Sequence, residues 1–484
     1  MGINRAVSLM VWGVIASSVC LCASSPAVAD KARTNTIEYE VHQFIESPFA
    51  IHGNAPSLDK PTEVKEFAET GAVWGRAWTG CPGEARGAGS EEEGYNWKRL
   101  DDQVRALTDA GANTMPCIMI GRTKAFPEEL RERYRNWLRA AVERYDGDGI
   151  DDMPGLTKSV HYWQIENEWT WRWTGTPDEL VELYRVSSET IHAADPRGKV
   201  VLGGLTAIDG RALVDGYLGD DVIIFEGAAF DAAAANAYPG GKRVYALIDA
   251  MLDRGYPYFD VLSFHKYGDY EHIPGCVAWL EDKMAANKYS RPIISTETGG
   301  PFIKRYEAYT EQVHADAVVK YHAVSLACGI KQIFWSTLYV LPEWGVAYAN
   351  TSLVNQEGRK MPAFYTYQLL VKKLAGLKSV VRIPVEKWDT GTRIYKFETG
   401  SGVVYIMWSE RLGGRHIEFP IESKRVRQTD VAGHETNLPV TDGKVTLDLT
   451  TSPVFVELST DCADYTDNED GIRETAYDIR GKPT

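Results

Sequence analysis

Positive charge is in short supply in this chain of 484 residues: 52 lysines and arginines face 67 aspartates and glutamates, a net charge of −15. That balance argues against nucleic acid or an anionic membrane surface as the main partner, since both are polyanions. Cysteine is scarce too. Of seven, Cys20 and Cys22 lie in the apolar N-terminal stretch, leaving Cys81, Cys117, Cys276, Cys328 and Cys462. Their odd number and wide spacing fit neither a metal site nor a dense disulfide framework, although one or two bridges stay open in an oxidising compartment. Cys117 and Cys328 fall in apolar runs and read as core residues. No glycine-rich phosphate loop follows any apolar run, which counts against a nucleotide-binding doubly wound sheet. Past the N-terminus, no stretch is long and apolar enough to span a bilayer.

The N-terminus itself reads as an export signal. Arg5 supplies the positive start, Ala6 to Ala23 form an apolar run, and Ala27-Val28-Ala29 offers small residues for cleavage near Ala29. An uncleaved anchor is the alternative, because the apolar run is long. A lipoprotein signal fits poorly, since Val19 and Leu21 precede the two cysteines where a small residue is needed. The expected product is a soluble exported chain, secreted or periplasmic, with no stable membrane insertion.

What is present is a globular composition, 44% hydrophobic and 25% charged, with an unusual aromatic share of 11% that includes 14 Trp and 25 Tyr. Such rings fill cores and also line clefts that stack on flat ligands. Along the chain, short apolar runs at 72–77, 113–120, 160–167, 200–206, 259–265, 291–297 and 331–336 predict buried strands. Amphipathic runs such as 97–111, 127–145 and 177–196 separate them; in the last, Leu180, Leu183, Tyr184 and Ile191 share one side. With "IEYEVHQFI" (37–45) as the eighth strand, the alternation predicts an α/β fold, a (β/α)8 barrel over 30–376. Short strands between Gly, Asp and Asn turns predict a C-terminal β-sandwich over 377–459. Residues 460–484 form an acidic tail, where Thr466 stands in place of the first carboxylate of a calcium loop.

In a (β/α)8 barrel the reacting groups stand at the C-terminal ends of the strands. That rule selects Glu168, which closes "VHYWQIENE", and Glu297, which closes "PIISTE". Two carboxylates across a barrel mouth are the minimum equipment for glycoside hydrolysis. The motifs "QIENEW" and "IISTETG", with "FHKY" between them, resemble clan A of the glycoside hydrolases, nearest to its family 39, over roughly 37–375 and on into the β-module. The helical segment 177–205 and "NQEGRKMPAFYTYQLL" share the likeness.

The resemblance implies roles residue by residue. Glu168 would be the general acid/base and Glu297 the nucleophile. Asn167 would bind the sugar 2-hydroxyl, and Arg76 would support the nucleophile. His265 and Tyr267 match a strand-6 pair, with Tyr267 donating to Glu297, and Trp335 matches a tryptophan that floors the sugar site. Arg76 and His265 could equally satisfy a buried polar network. The implied reaction is retaining, and needs no metal or cofactor. A carboxylate spacing of about 5 Å would fit it, and a wider gap would mean inversion.

Several features stay open on the sequence. Glu166 alternates to the same side as Glu168, one layer deeper, where a buried carboxylate most often pairs with Arg or Lys; it reads as structural. Trp169, Trp171 and Trp173 are a hydrophobic plug or a stacking wall for the leaving-group sugar, with Trp169 the best placed for contact. Glu343 and Trp344 lie near the cleft with no fixed direction, and "SEEEG" (90–94) reads as a solvated loop. The expected activity is hydrolysis of an oligo- or polysaccharide. A transglycosylase on the same site and an inactive carbohydrate-binding barrel are the alternatives. Loops 79–95, 122–127, 208–240 and 299–309 would choose the sugar, and 208–240 is a candidate specificity element.

Overall fold

A computed structural model describes residues 36–38, 47–53, 55–80, 89–90, 94–120, 125–218, 223–225, 228–230, 241–301, 309–339, 351–385, 389, 391–423 and 425–458. The export signal, Cys81, Cys462, Glu343, Trp344 and the acidic tail lie outside the described residues. No described helix is long and apolar enough to cross a membrane.

Eight parallel strands form the first body of the fold: β1 (Phe49–His52), β2 (Trp74–Gly80), β3 (Asn113–Met119), β4 (Tyr162–Ile165), β5 (Lys199–Leu202), β6 (Leu262–Lys266), β7 (Ile293–Thr298) and β8 (Ile333–Ser336). They pair in the order β6-β7-β8-β1-β2-β3-β4-β5. Parallel bridges from Val201 to Val261 and from Leu205 to Phe264 join β5 to β6 and close the barrel. A helix of ten or more residues follows each strand: α1 (Pro61–Thr70), α2 (Lys98–Asp109), α3 (Glu128–Tyr145), α4 (Pro177–Ala194), α5 (Gly241–Asp253), α6 (Ile273–Ala286), α7 (Glu311–Ala327) and α8 (Pro362–Lys373), with the short helices Trp169–Arg172 and Ile208–Val214 leading into α4 and α5. Helix α4 shows why these runs fold as they do. Pro177 opens it, Thr176 and Glu179 close a capping box, and Leu180, Leu183, Tyr184 and Ile191 bury one face.

The eighth strand differs from the expectation. The first barrel strand is "FAIH" (49–52), while Ile37–Glu38 pairs antiparallel with Ser379–Arg382 in the C-terminal sheet. The reason lies in the pattern. "IEYEVHQFI" alternates apolar and polar residues, which suits an antiparallel strand with one solvated face; a barrel strand is buried on both faces and reads as a continuous apolar run.

The barrel interior is layered. Ala50, Trp74, Met115, Tyr162, Val201, Val261, Ile294 and Phe334 pack as one apolar layer, with one residue from each strand or its threshold. Two residues further along, the same inward side carries His52, Arg76, Cys117, Gln164, Gly203, Ser263, Thr296 and Ser336. The six polar members of that layer are all at most 4% exposed. A dry core would not choose them, because buried polar groups cost free energy unless fully bonded.

After α8 the chain builds six strands of a seven-stranded antiparallel sheet, with Ile37–Glu38 at its edge, and a second antiparallel sheet of three strands. Ile394, Met407, Phe419, Val426, Val445, Leu447 and Val456 fill the space between them. This β domain docks on the barrel through Lys320–Glu410 (2.6 Å), Lys373–Glu457 (2.5 Å), Ser452 on Asp316 (2.6 Å) and an edge contact between Tyr270 and Trp408. Cys117 and Cys276 are buried free thiols, and Cys328 is half-buried.

Candidate active site

The C-terminal ends of the strands bring six of the eight residues singled out by sequence into one cluster. Glu297 is its centre, at 5% exposure. Its Oε1 accepts from Arg76 Nη1 at 2.9 Å and lies 3.4 Å from His52 Nε2. Its Oε2 accepts from the Tyr267 hydroxyl at 2.9 Å and lies 3.5 Å from His265 Nδ1. His265 Nδ1 also meets Glu168 Oε1 at 3.0 Å. A carboxylate oxygen of Glu168, one of Glu297 and a ring nitrogen of His265 all lie within 4.8 Å of one another.

A break in strand register aims Glu297. Strands β6 and β7 pair one to one from Leu262/Ile293 to Phe264/Ser295, and then His265 pairs with Glu297. Thr296 is therefore an extra residue, a bulge that places two successive side chains on the interior side. Thr296 Oγ1 meets Ser263 Oγ at 2.5 Å, and Glu297 follows it into the mouth. Without the bulge, alternation would turn Glu297 out toward the helices.

Glu168 is aimed by a different device. Strand β4 ends at Ile165, and Glu166 (φ 61°) and Glu168 (φ 47°) both adopt left-handed backbone. For residues other than glycine this costs about 1–3 kcal/mol each, strain that recurs where geometry serves function. The turn breaks the alternation expected through 164, 166 and 168. Glu166 swings to the end of β3, where its Oε1 accepts the Ile120 amide at 2.5 Å in full burial. The Ile120 amide is thus one partner of this buried carboxylate, in keeping with the structural reading of Glu166. Glu168 faces the cleft with its side chain 19% exposed, against 7% for Glu297.

Arg76 ties the two ends together. Besides Glu297 it donates to Asn167 Oδ1 (3.0 Å), Thr296 O (3.2 Å) and His52 Nδ1 (2.7 Å). Because a guanidinium only donates, His52 Nδ1 must be the acceptor and Nε2 carries the proton that faces Glu297. Burial first, with the Arg76 charge, pushes His52 down to about 3 against the pull of Glu297, so the ring is neutral. Burial alone would raise the Glu297 carboxyl. His265 and Arg76, with the Nε2–H of the neutral His52 turned toward the carboxylate, outweigh it and hold Glu297 far below the usual carboxylate range. Of these, Arg76 keeps a full charge at any working pH. Gly204 makes room for His265, since a Cβ there would come within 1.8 Å of His265 Nε2.

Two of the expected substrate contacts lie elsewhere. Phe334 points into the barrel, so its neighbour Trp335 points out, against α7. There it stacks between His314 (6.2 Å) and His322 (5.7 Å) and donates to Thr351 O at 3.0 Å. It is fully buried behind the strand and does not floor the cleft; Ser336 takes the inward place and meets Tyr267 at 2.8 Å. Trp169 and Trp173 are likewise fully buried in the main core, the plug of the two readings, while Trp171 is half-buried.

Sequence reasoning passed over two residues at the mouth. His52 ends a strand only four residues long. Trp78 follows Trp74 and Arg76 on the inward side of β2, half-buried, with the Arg76 guanidinium 4.7 Å from its ring centre and its Nε1 on Gly53 O. The alternation in "WGRAW" carries that signal.

Glu168, His265 and Glu297 are a donor set that a divalent ion could meet. Both oxygens of Glu297 are already engaged, however, and the Arg76 charge sits against one of them. A second acidic group, Asp146, Asp148 and Asp152, accepts backbone amides of its own loop, from Gly147 to Ile150.

No protein-family model matches the chain, and no curated protein does. Solved structures do match its fold. A family 39 glycoside hydrolase from the gut symbiont Bacteroides cellulosilyticus WH2 superposes with a TM-score of 0.62 at 15% identity, covering 85% of this chain and 81% of that one. A GH39 β-xylosidase from Caulobacter crescentus gives 0.54 at 13% identity, covering 88% and 98%. A GH30 endoxylanase from Clostridium papyrosolvens C71 gives 0.55 at 13% identity, covering 87% and 98%. At such identities the likeness is one of fold, and the fold is the barrel with a β domain that the clan A resemblance implies.

Proposed function

We propose that this protein is an exported, retaining glycoside hydrolase that cleaves an oligo- or polysaccharide with Glu297 as nucleophile and Glu168 as acid/base. The observation that carries the reading is the asymmetry of two close carboxylates. Glu297 is buried, accepts one hydrogen bond on each oxygen and is held ionised by the groups around it, Arg76 among them, as a nucleophile must be. Glu168 is more open to water, as suits a group that gives up a proton and takes it back.

In the first step Glu297 forms a bond to the anomeric carbon while the bond to the leaving oxygen breaks and Glu168 protonates that oxygen. The glycosyl ester is then hydrolysed: Glu168 takes a proton from water, the water oxygen bonds to the anomeric carbon, and Glu297 leaves as a carboxylate. Two inversions give net retention, and a carboxylate oxygen of each glutamate lying within 4.8 Å of one on the other supports the closely spaced arrangement of a retaining pair. Asn167, with its Oδ1 on Arg76, has its amide N–H groups left for the 2-hydroxyl. The endoxylanase and β-xylosidase names among the structural neighbours are in keeping with a glycoside as substrate.

A panel of aryl glycosides and polysaccharides tests this. Glu297→Ala should abolish turnover. Glu168→Ala should lose less on activated aryl leaving groups, with azide restoring part of the rate. Rescue of Glu166→Ala in place of Glu168→Ala would overturn the assignment. An added sugar acceptor that captures the glycosyl group ahead of water would make the protein a transglycosylase.

A further inference from the structure

We infer that Arg172 makes the leaving-group side of the cleft a site for an anionic sugar, one that bears a uronate carboxylate. The inference rests on the glycosidase reading of Glu168 and Glu297 and adds a substrate class to it.

The mount of Arg172 is the first argument. Trp169–Arg172 is a single helical turn that starts directly from Glu168. Nearly everything else in the segment is anchored inward. Trp169 and Trp173 are fully buried four residues apart, Thr170 pairs with Thr206, and Trp173 donates from Nε1 to Thr176 O at 2.9 Å while its carbonyl accepts from Arg243. Trp171 is half-buried. Arg172 alone projects, its side chain 49% exposed. The turn is thus fixed on its inner side and presents one cation to the cleft.

Direction is the second argument. Glu168 Oε1 faces His265, which also touches Glu297, whereas Glu168 Oε2 faces Arg172 Nη2 at 3.4 Å. Arg172 therefore stands past Glu168 on the side away from the nucleophile. The sugar under attack lies between the two glutamates, so a group beyond the acid/base borders the leaving group.

Charge supplies the third. The chain is strongly acidic, and two carboxylates line the mouth, so an anionic leaving group would be repelled unless a fixed cation met it. Arg76 is buried below, its two terminal nitrogens bonded to Glu297, Asn167, Thr296 O and His52. Arg172 spends one N–H on a single long contact, with no other ion pair among the described residues. Its planar fork remains able to take a carboxylate through two parallel hydrogen bonds, a geometry that favours a uronate over a point charge.

The test uses glycosides of whichever sugar the panel identifies, with matched leaving groups: 4-carboxyphenyl, its neutral 4-carbamoylphenyl analogue and 4-sulfophenyl. The readout is the ratio of kcat/KM for the carboxylate over the amide. Wild type should favour the carboxylate, and Arg172→Gln should lower the ratio by about tenfold or more, with Arg172→Lys in between. An unchanged ratio in Arg172→Gln, or a wild type that favours the amide, would overturn the inference. Preference for the sulfophenyl glycoside would replace uronate by a sulfate ester. If no aryl glycoside is turned over, or turnover survives Glu297→Ala, the glycosidase reading fails and the anion site with it.

Discussion

Arg76→Met removes the one permanent charge that faces the nucleophile, and its cost can be worked from the contacts. The guanidinium is 1% exposed and bonds Glu297, Asn167, Thr296 O and His52. Breaking a buried ion pair by removing one partner costs about 3–5 kcal/mol. Glu297 can avoid much of that cost by taking up a proton. At about 1.4 kcal/mol per pKa unit, its carboxyl should rise by roughly 2–3 units, out of its depressed range. The sign follows from linkage. Because Glu297 is depressed in the fold, it contributes stability above its unfolded pKa, and that stability is lost as pH falls through the folded value. Arg76→Met should therefore be less stable near neutral pH and less sensitive to acid. The assay is kcat/KM against pH on an activated aryl glycoside, with Tm measured in parallel. The acid limb should move up by about 2 units, whereas Arg76→Lys, which keeps the charge, should move it less. A folded Arg76→Met with an unmoved acid limb would refute the claim that Arg76 keeps the nucleophile ionised.

Other substitutions separate support from contact. Glu166→Ala leaves the Ile120 amide unpaired in full burial, so it should cost about 1–3 kcal/mol in denaturant unfolding, while Glu166→Gln keeps the acceptor and costs less. Trp78→Ala at the mouth should raise KM, but Trp335→Phe behind β8 should lower Tm through the lost Thr351 bond and leave KM alone. If Trp335→Phe raised KM more than Trp78→Ala did, the placement of the two rings would be wrong.

Which parts of this site could be read in the sequence depends on how far each residue's position follows from local pattern. Glu168, Asn167 and Glu297 end apolar runs, and strand ends in a barrel converge, so their meeting followed from the architecture. Arg76, His265 and Tyr267 came through motif likeness, and each touches Glu297 or Glu168. Trp335 failed because likeness fixes a position along a strand and not the side on which its ring lies; the inward Phe334 decides that. The bulge at Thr296 and the left-handed turns at Glu166 and Glu168 left no mark in composition, yet they aim both acids. His52 escaped notice because a strand of four residues between Pro48 and Gly53 is too short for periodicity to register.

The claim that Glu297 is the nucleophile of a retaining pair has one direct measurement. Incubation with a 2-deoxy-2-fluoro glycoside carrying a good leaving group should trap the glycosyl-enzyme, and peptide mapping by mass spectrometry should find the label on Glu297 alone. A label on Glu168 or Glu166, or a product anomer inverted from the substrate, would contradict the account.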